Sequence, residues 1–87
     1  MKVYNLTSSR GNTVPNQFEI VDGNRRVFQS YNSVICVIEN GKVTLDAYYW
    51  DYSVTTGKYR NIFLGETKKE TEAKIKAGVY QLANLNS

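Results

Sequence analysis

Between Trp50 and Arg60 the chain gathers its densest set of side chains capable of chemistry: Asp51, Tyr52, Ser53, Thr55, Thr56, Lys58, Tyr59 and Arg60. The adjacent hydroxyls of Thr55 and Thr56, at what reads as a helix start, could hold an anion together with the first-turn N–H groups that lack intrahelical partners. The same pair serves equally as ordinary capping. Asp46 and Asp51 are the nearest approach to a carboxylate pair of the kind used in glycoside hydrolysis. They flank a strand-to-helix junction, where capping and solvation already account for both. Cys36 stands in the apolar run Val34-Ile35-Cys36-Val37-Ile38 and reads as a small buried hydrophobe with nothing beside it to lower its pKa.

The chain has no His. The commonest general base and the commonest metal ligand are therefore both missing, and Ser, Thr and Cys have no evident activating partner. There is no Gly-rich phosphate loop and no calcium-type acidic loop. The reading is a protein that is not an enzyme and uses neither cofactor nor metal.

Recognition is the better-supported class. Arg25 and Arg26 adjoin a hairpin turn, Arg10 lies in the first loop, and Lys58 and Arg60 lie on the central helix. Tyr31, Tyr48, Tyr49 and Tyr52 are interleaved with them in sequence. The candidate binding surface is Arg10, Arg25, Arg26, Tyr49, Tyr52, Thr55, Thr56, Lys58 and Arg60. Cations with aromatic platforms suit single-stranded nucleic acid, where each stacked base contributes ~1–3 kcal/mol. Tyr, Trp and Arg also make protein hot spots. The alternative is a solvated charged face with half-buried sheet tyrosines. A net charge of +3 permits nucleic-acid contact without demanding it.

Positioning these groups calls for a sheet followed by helices. Strands are expected over Lys2–Ser8, Gln17–Asp22, Arg25–Tyr31, Val34–Glu39 and Lys42 to about Tyr48. Asp22-Gly23-Asn24 and Asn40-Gly41 are hairpin turns, since Gly and Asn tolerate positive φ. Ser9–Asn16 reads as a loop, and Asn32-Ser33 as a turn or bulge. The run Val34–Ile38 is apolar on both faces and belongs in the middle of the sheet. The central helix has Asp51 or Ser53 as N-cap, an inward stripe of Tyr59, Ile62 and Phe63, and Gly65 as its stop. Gly57 within it costs roughly 1 kcal/mol relative to Ala, which points to a close backbone approach or a late helix start. A second helix opens with a capping box, Thr67 to Glu70, carries Glu70–Lys74 and Glu72–Lys76 pairs, and stops at Gly78. The tail containing Val79, Tyr80, Leu82 and Leu85 could dock back or add an edge strand.

The 87 residues form a single α+β domain, residues 1–87. An antiparallel sheet of about five strands carries an amphipathic helix on one face and is followed by a second short helix. The opposite face, with Arg, Gln, Thr and some Tyr, meets water. Met1-Lys2-Val3-Tyr4-Asn5 has no apolar core of a signal peptide, and no apolar run approaches the length of a membrane span, so a cytoplasmic location is expected.

Val14-Pro15-Asn16-Gln17-Phe18, Phe28-Gln29-Ser30-Tyr31-Asn32-Ser33-Val34-Ile35 and Trp50-Asp51-Tyr52-Ser53-x-Thr55-Thr56-x-Lys58-Tyr59-x-x-x-Phe63-Leu64 resemble a family of small proteins encoded by bacteriophages, plasmids and their hosts, a domain of unknown function. The resemblance spans about residues 3 to 66. Its most specific part is Ser-x-Thr-Thr-x-Lys ahead of Phe-Leu. Many relatives carry His where this chain has Tyr59, a departure that weighs against acid–base or metal chemistry there. The resemblance implies a mobile-element origin and a compact β-then-α fold, and supplies no activity. The expected function is a small non-enzymatic binding protein that occupies a host protein, for instance one of defence or nucleic-acid handling. The alternative is direct nucleic-acid binding, and a homodimer is a further option.

Overall fold

Alternation of apolar and polar residues, punctuated by Gly and Asn turns, produces a meander. In the computed structural model, which describes residues 1–86, the strands are β1 (Lys2–Thr7), β2 (Thr13–Asp22), β3 (Arg25–Ser30), β4 (Ser33–Glu39) and β5 (Lys42–Asp46). Helices α1 (Val54–Leu64) and α2 (Lys68–Lys76) follow, and then a short β6 (Gln81–Ala83). The sheet order is β1-β2-β3-β4-β5-β6. The first five strands are antiparallel to their neighbours, and β6 pairs parallel to β5, with Thr44 opposite Gln81.

The sheet is thus six-stranded and mostly antiparallel, close to the expected antiparallel sheet of about five strands. The tail supplies the sixth, covering the unpaired edge of β5. Two further differences are local. Residues 13–16 belong to β2, not to the preceding loop, with Asn16 accommodated at a positive φ of 66°. The fifth strand ends at Asp46, where Trp50 N–H bonds back to the Asp46 carbonyl and turns the chain.

β4 is interior, as its two-sided apolar pattern requires. A register shift in its pairing with β3, between Phe28 and Gln29, gives β4 one extra residue. Both Ile35 and Cys36 thereby reach the core, with Phe28, Leu45, Tyr59 and Phe63. The rings of Phe28 and Phe63 stack at 5.8 Å and tie α1 to the sheet.

Helix α1 begins at Ser53, whose Oγ accepts the Thr56 N–H at 3.1 Å, and ends at Gly65 in the left-handed region. Its inward residues are Thr56, Tyr59, Arg60 and Phe63. The stripe is rotated from the expected one: Ile62 is 46% exposed, while Arg60 is 1% exposed. The rotation is stable because the Arg60 head finds polar partners inside. Its Nη1 donates to the Trp50 carbonyl at 2.7 Å and to Asp51 Oδ1 at 3.2 Å, and Nη2 donates to Asn61 Oδ1 at 2.9 Å.

Helix α2 has the expected capping box, with Thr67 and Glu70 bonded reciprocally. The expected Glu70–Lys74 pair does not form, because Glu70 is occupied by the cap. Lys74 instead reaches Glu66 at 2.7 Å, and that carboxylate also accepts from Thr71 and from the Tyr80 hydroxyl. Nor is Glu72–Lys76 among the ion pairs of the described residues. Among the described residues no helix is long and apolar enough to cross a membrane.

The helix-free outer face of the sheet carries Arg25, Gln29 and Thr44, residue types expected there, and an apolar row that was not. Register places Val3, Ile20, Val27 and Val37 in one row across it. Arg26, by contrast, points to the helix face, where its guanidinium lies 4.9 Å from the centre of the Phe63 ring and pairs with Glu19.

Candidate binding surface

The site is built on a single carboxylate. Asp46 is buried at the end of β5, and its Oδ2 accepts the N–H groups of Tyr48 at 3.0 Å and Tyr49 at 2.7 Å. Its Oδ1 accepts the Leu85 N–H at 2.8 Å. Burial pushes the carboxyl up, but these donors outweigh it and hold Asp46 below the usual carboxylate range. Holding the Tyr48 and Tyr49 N–H groups folds the segment after β5 into a tight turn that leaves Tyr48 exposed. The Leu85 N–H ties the C-terminal tail to the same carboxylate.

Three tyrosines cluster there. Tyr48 and Tyr49 meet edge to face at 4.6 Å, Tyr49 and Tyr52 lie 5.2 Å apart, and Tyr48 and Tyr52 lie 6.2 Å apart. Tyr49 is half-buried against the core, while Tyr48 and Tyr52 are 72% and 61% exposed. Across a cleft of about 320 Å³ stands Tyr31, 59% exposed, at the tip of the β3–β4 turn. The cleft floor is polar: Thr56 Oγ1 lies 3.2 Å from Ser30 Oγ and accepts from Ser53 Oγ at 3.1 Å.

Tyr31 has a φ of 54°, an uncommon conformation for a large side chain. It is held by two contacts: its N–H donates to the Asn16 carbonyl at 2.7 Å, and Gln29 Nε2 donates to the Tyr31 carbonyl at 2.8 Å. Asn16 has positive φ as well, so two unusual backbone positions brace each other beneath the ring.

Of the residues singled out from sequence, Tyr49, Tyr52 and Thr56 come together here. Thr55 is exposed on the first turn of α1. Thr56 is buried, its hydroxyl used within the Ser30–Ser53–Thr56 trio, which leaves it a structural part of the floor and not an open anion ligand.

The cations do not assemble around the tyrosines. Arg60 is internal, a correction to its expected place on the surface. Arg26 is paired with Glu19, whose hydrogen bond raises its pKa. Arg25 opens β3 beside the turn joining it to β2, at the end of the sheet away from the tyrosines, and Arg10 is exposed in the Ser8–Asn12 loop. Lys58 lines a different, wider groove of about 780 Å³, with Asp51, Gly57, Arg60 and Lys68. Asp51 there bridges Arg60 at 3.2 Å and Lys68 at 2.7 Å. Burial pushes its carboxyl up, but the two cations prevail and its pKa is lowered. With Asp46 holding backbone and Asp51 holding cations, the two carboxylates do not act as a pair. Among the described residues no three Cys, Asp or Glu side chains gather as metal ligands would.

Sequence reasoning overlooked Asp46 as the organiser and Tyr31 as the facing wall. An Asp two and three residues ahead of paired tyrosines at a strand end is a turn signal that could have located the first. The second depends on a backbone conformation that a Tyr does not advertise.

Residues 1–78 match the model of a family of unknown function, DUF8033. The chain belongs to this family. The match takes in the whole meander, both helices and the tyrosine-bearing end, and stops ahead of β6. No curated protein and no solved structure matches the chain.

Proposed function

We propose that this DUF8033 member is a small non-enzymatic binding protein that occupies the surface of a partner protein through the tyrosine-bearing end of its sheet. The observation that carries this reading is the cluster of Tyr48, Tyr49 and Tyr52, of which Tyr49 and Tyr52 face Tyr31 across the cleft while Tyr48 and Tyr52 are largely exposed. Tyrosines offer large, rigid, amphipathic contact area at low conformational cost, and they are enriched at interface hot spots. The backbone strain at Tyr31 has the same sense, since strained positions cluster where a side chain must be presented in one direction. In line with the mobile-element resemblance of its motifs, the partner is a cytoplasmic protein of a bacterial host. A defence or nucleic-acid-handling protein is the natural kind of target.

The test is a comparison of wild type with the Tyr48→Ala/Tyr52→Ala variant. Both rings are largely exposed, so the fold is retained. Quantitative capture from bacterial host lysate should recover a partner with wild type and lose it with the variant. Equal recovery by both, or no specific partner with wild type, overturns the reading.

Exposed tyrosine faces would also stack on bases. This second reading is weaker, because Arg60 is internal and Arg26 is paired with Glu19, leaving few cations near the rings. It requires oligonucleotide affinity that falls steeply with salt, and a flat response removes it.

A further inference from the structure

We infer that the outer face of the sheet is the interface of a two-fold symmetric homodimer, with the symmetry axis parallel to the strands and passing between β3 and β4.

Strand register sets out the charges. The hairpin end of the outer face carries one row of them: Asp22 is opposite Arg25, Arg25 opposite Glu39, and Glu39 opposite Lys42. All four are exposed, and none is in an ion pair among the described residues. Read across β2, β3, β4 and β5, the signs alternate: minus, plus, minus, plus. Rotation by 180° about an axis running along the strands between β3 and β4 reverses this row and lays it on itself. Asp22 then faces Lys42 of the second copy, and Arg25 faces Glu39. Every contact is between opposite charges, and each occurs twice, as an isologous interface requires.

The same rotation reverses the row that contains the valines, with Val27 facing Val37 of the second copy, Ile20 facing Thr44 and Val3 facing Gln81. Val27 and Val37 are already buried within the chain, so the apolar surface left to bury on this row is that of exposed Val3 and half-buried Ile20. An axis along the strands also keeps the strands of the two copies nearly aligned, the usual packing of two twisted sheets at ~10 Å separation. A face of six strands of about six residues measures roughly 24 by 20 Å, which is at the small end of stable interfaces. The dimer is therefore dependent on protein concentration.

Rotation about the strand direction leaves that direction unchanged, so both tyrosine clefts emerge at the same end of the dimer. Two binding ends side by side would raise avidity for a partner presenting repeated sites.

The experiment is sedimentation equilibrium of the full chain and two charge variants, Arg25→Glu and Glu39→Arg. Wild type should approach twice the 9.9 kDa chain mass as its concentration rises. Each variant alone brings like charges together across the axis and should weaken dimerisation at least about tenfold. Each also sets like charges opposite within its own chain, so circular dichroism verifies its fold. The decisive sample is the equimolar mixture. There the glutamate introduced at position 25 of one chain faces the arginine introduced at position 39 of the other, and the unaltered Glu39 of the first faces the unaltered Arg25 of the second. Dimers should return although neither chain is internally repaired. Wild type that stays monomeric, a single variant that dimerises like wild type, or a mixture that stays monomeric overturns the inference. So does a dimer that is lost in Tyr48→Ala/Tyr52→Ala, because the interface would then lie at the tyrosine end.

Discussion

The Arg60 guanidinium lies 5.2 Å from the centre of the Trp50 ring while its Nη1 donates to the Trp50 backbone carbonyl at 2.7 Å. One side chain of α1 thus holds both the ring and the backbone of the segment that carries the tyrosines. Arg60→Ala should lower stability by about 3 kcal/mol, through lost packing and buried acceptors left unpaired. Arg60→Lys should recover less than half of that loss, because an ammonium cannot reproduce the planar fork. Urea unfolding with an unchanged m-value is the measurement.

Gly57 faces the same guanidinium. A Cβ built on it would stand 3.6 Å from Arg60 Nη2 and 3.7 Å from Asp51 Oδ1, ordinary contact distances. Neither the close backbone approach nor the late helix start expected from sequence is found: the nearest atoms are side-chain atoms, the helix already starts at Val54, and there is room for a methyl group. Gly57→Ala should therefore raise stability, by up to about 1 kcal/mol, through helix propensity. A fall in the urea midpoint would show that the Arg60 pocket cannot give way.

Glu66 contributes to the acid limb together with Asp46 and Asp51. Burial pushes the Glu66 carboxyl up, but donors from Lys74, Thr71 and Tyr80 outweigh this and hold it below its ordinary 4.5. The unfolded chain thus takes up the proton first as pH falls. The stabilisation is complete above the unfolded value and is lost as pH drops through the folded one. Glu66→Gln should reduce stability at neutral pH and flatten its decline between about pH 5 and pH 3. An unchanged slope in thermal unfolding across that range would contradict the assignment.

Cys36 is fully enclosed, and burial pushes its thiol well above the usual 9.0. Reaction with a small thiol reagent at about pH 8 should be negligible in the native state and should follow the unfolded fraction as urea is added. Rapid labelling without urea would reveal local opening of β4.

Tyr31→Gly should leave stability equal or raise it by about 1 kcal/mol, because Gly accepts positive φ at no steric cost. Partner capture should drop in the same variant. A stability loss would mean that the ring itself braces the turn.

The meander was legible because its signals are local: Asp22-Gly23-Asn24 and Asn40-Gly41 mark turns whatever surrounds them, and the run Val34–Ile38 is apolar on both faces. The caps of α1 and α2 were legible for the same reason. The inward side of α1 was not. Hydrophobicity favours Ile62 over Arg60, and only the Trp50 carbonyl, Asp51 and Asn61, brought together by the fold, reverse that order. The β5–β6 pairing was open in the sequence because Gln81-Leu82-Ala83 carries too little pattern to distinguish a strand from a docked coil. At the candidate site the rings were visible and their clustering was not, since it depends on which N–H groups Asp46 accepts.

Strands β2 to β5 each pair with the strand just before them, so four of the five ladders close short loops. β6 differs: Thr44 and Gln81 meet only after both helices are in place. It bears a larger entropic cost with three exposed residues to offset it, aided by Asn86, whose side chain donates to the Val34 carbonyl and accepts the Val34 N–H. Fraying should begin there. The β5 edge would then be transiently uncovered beside the tyrosines, while the helix-backed meander stays closed.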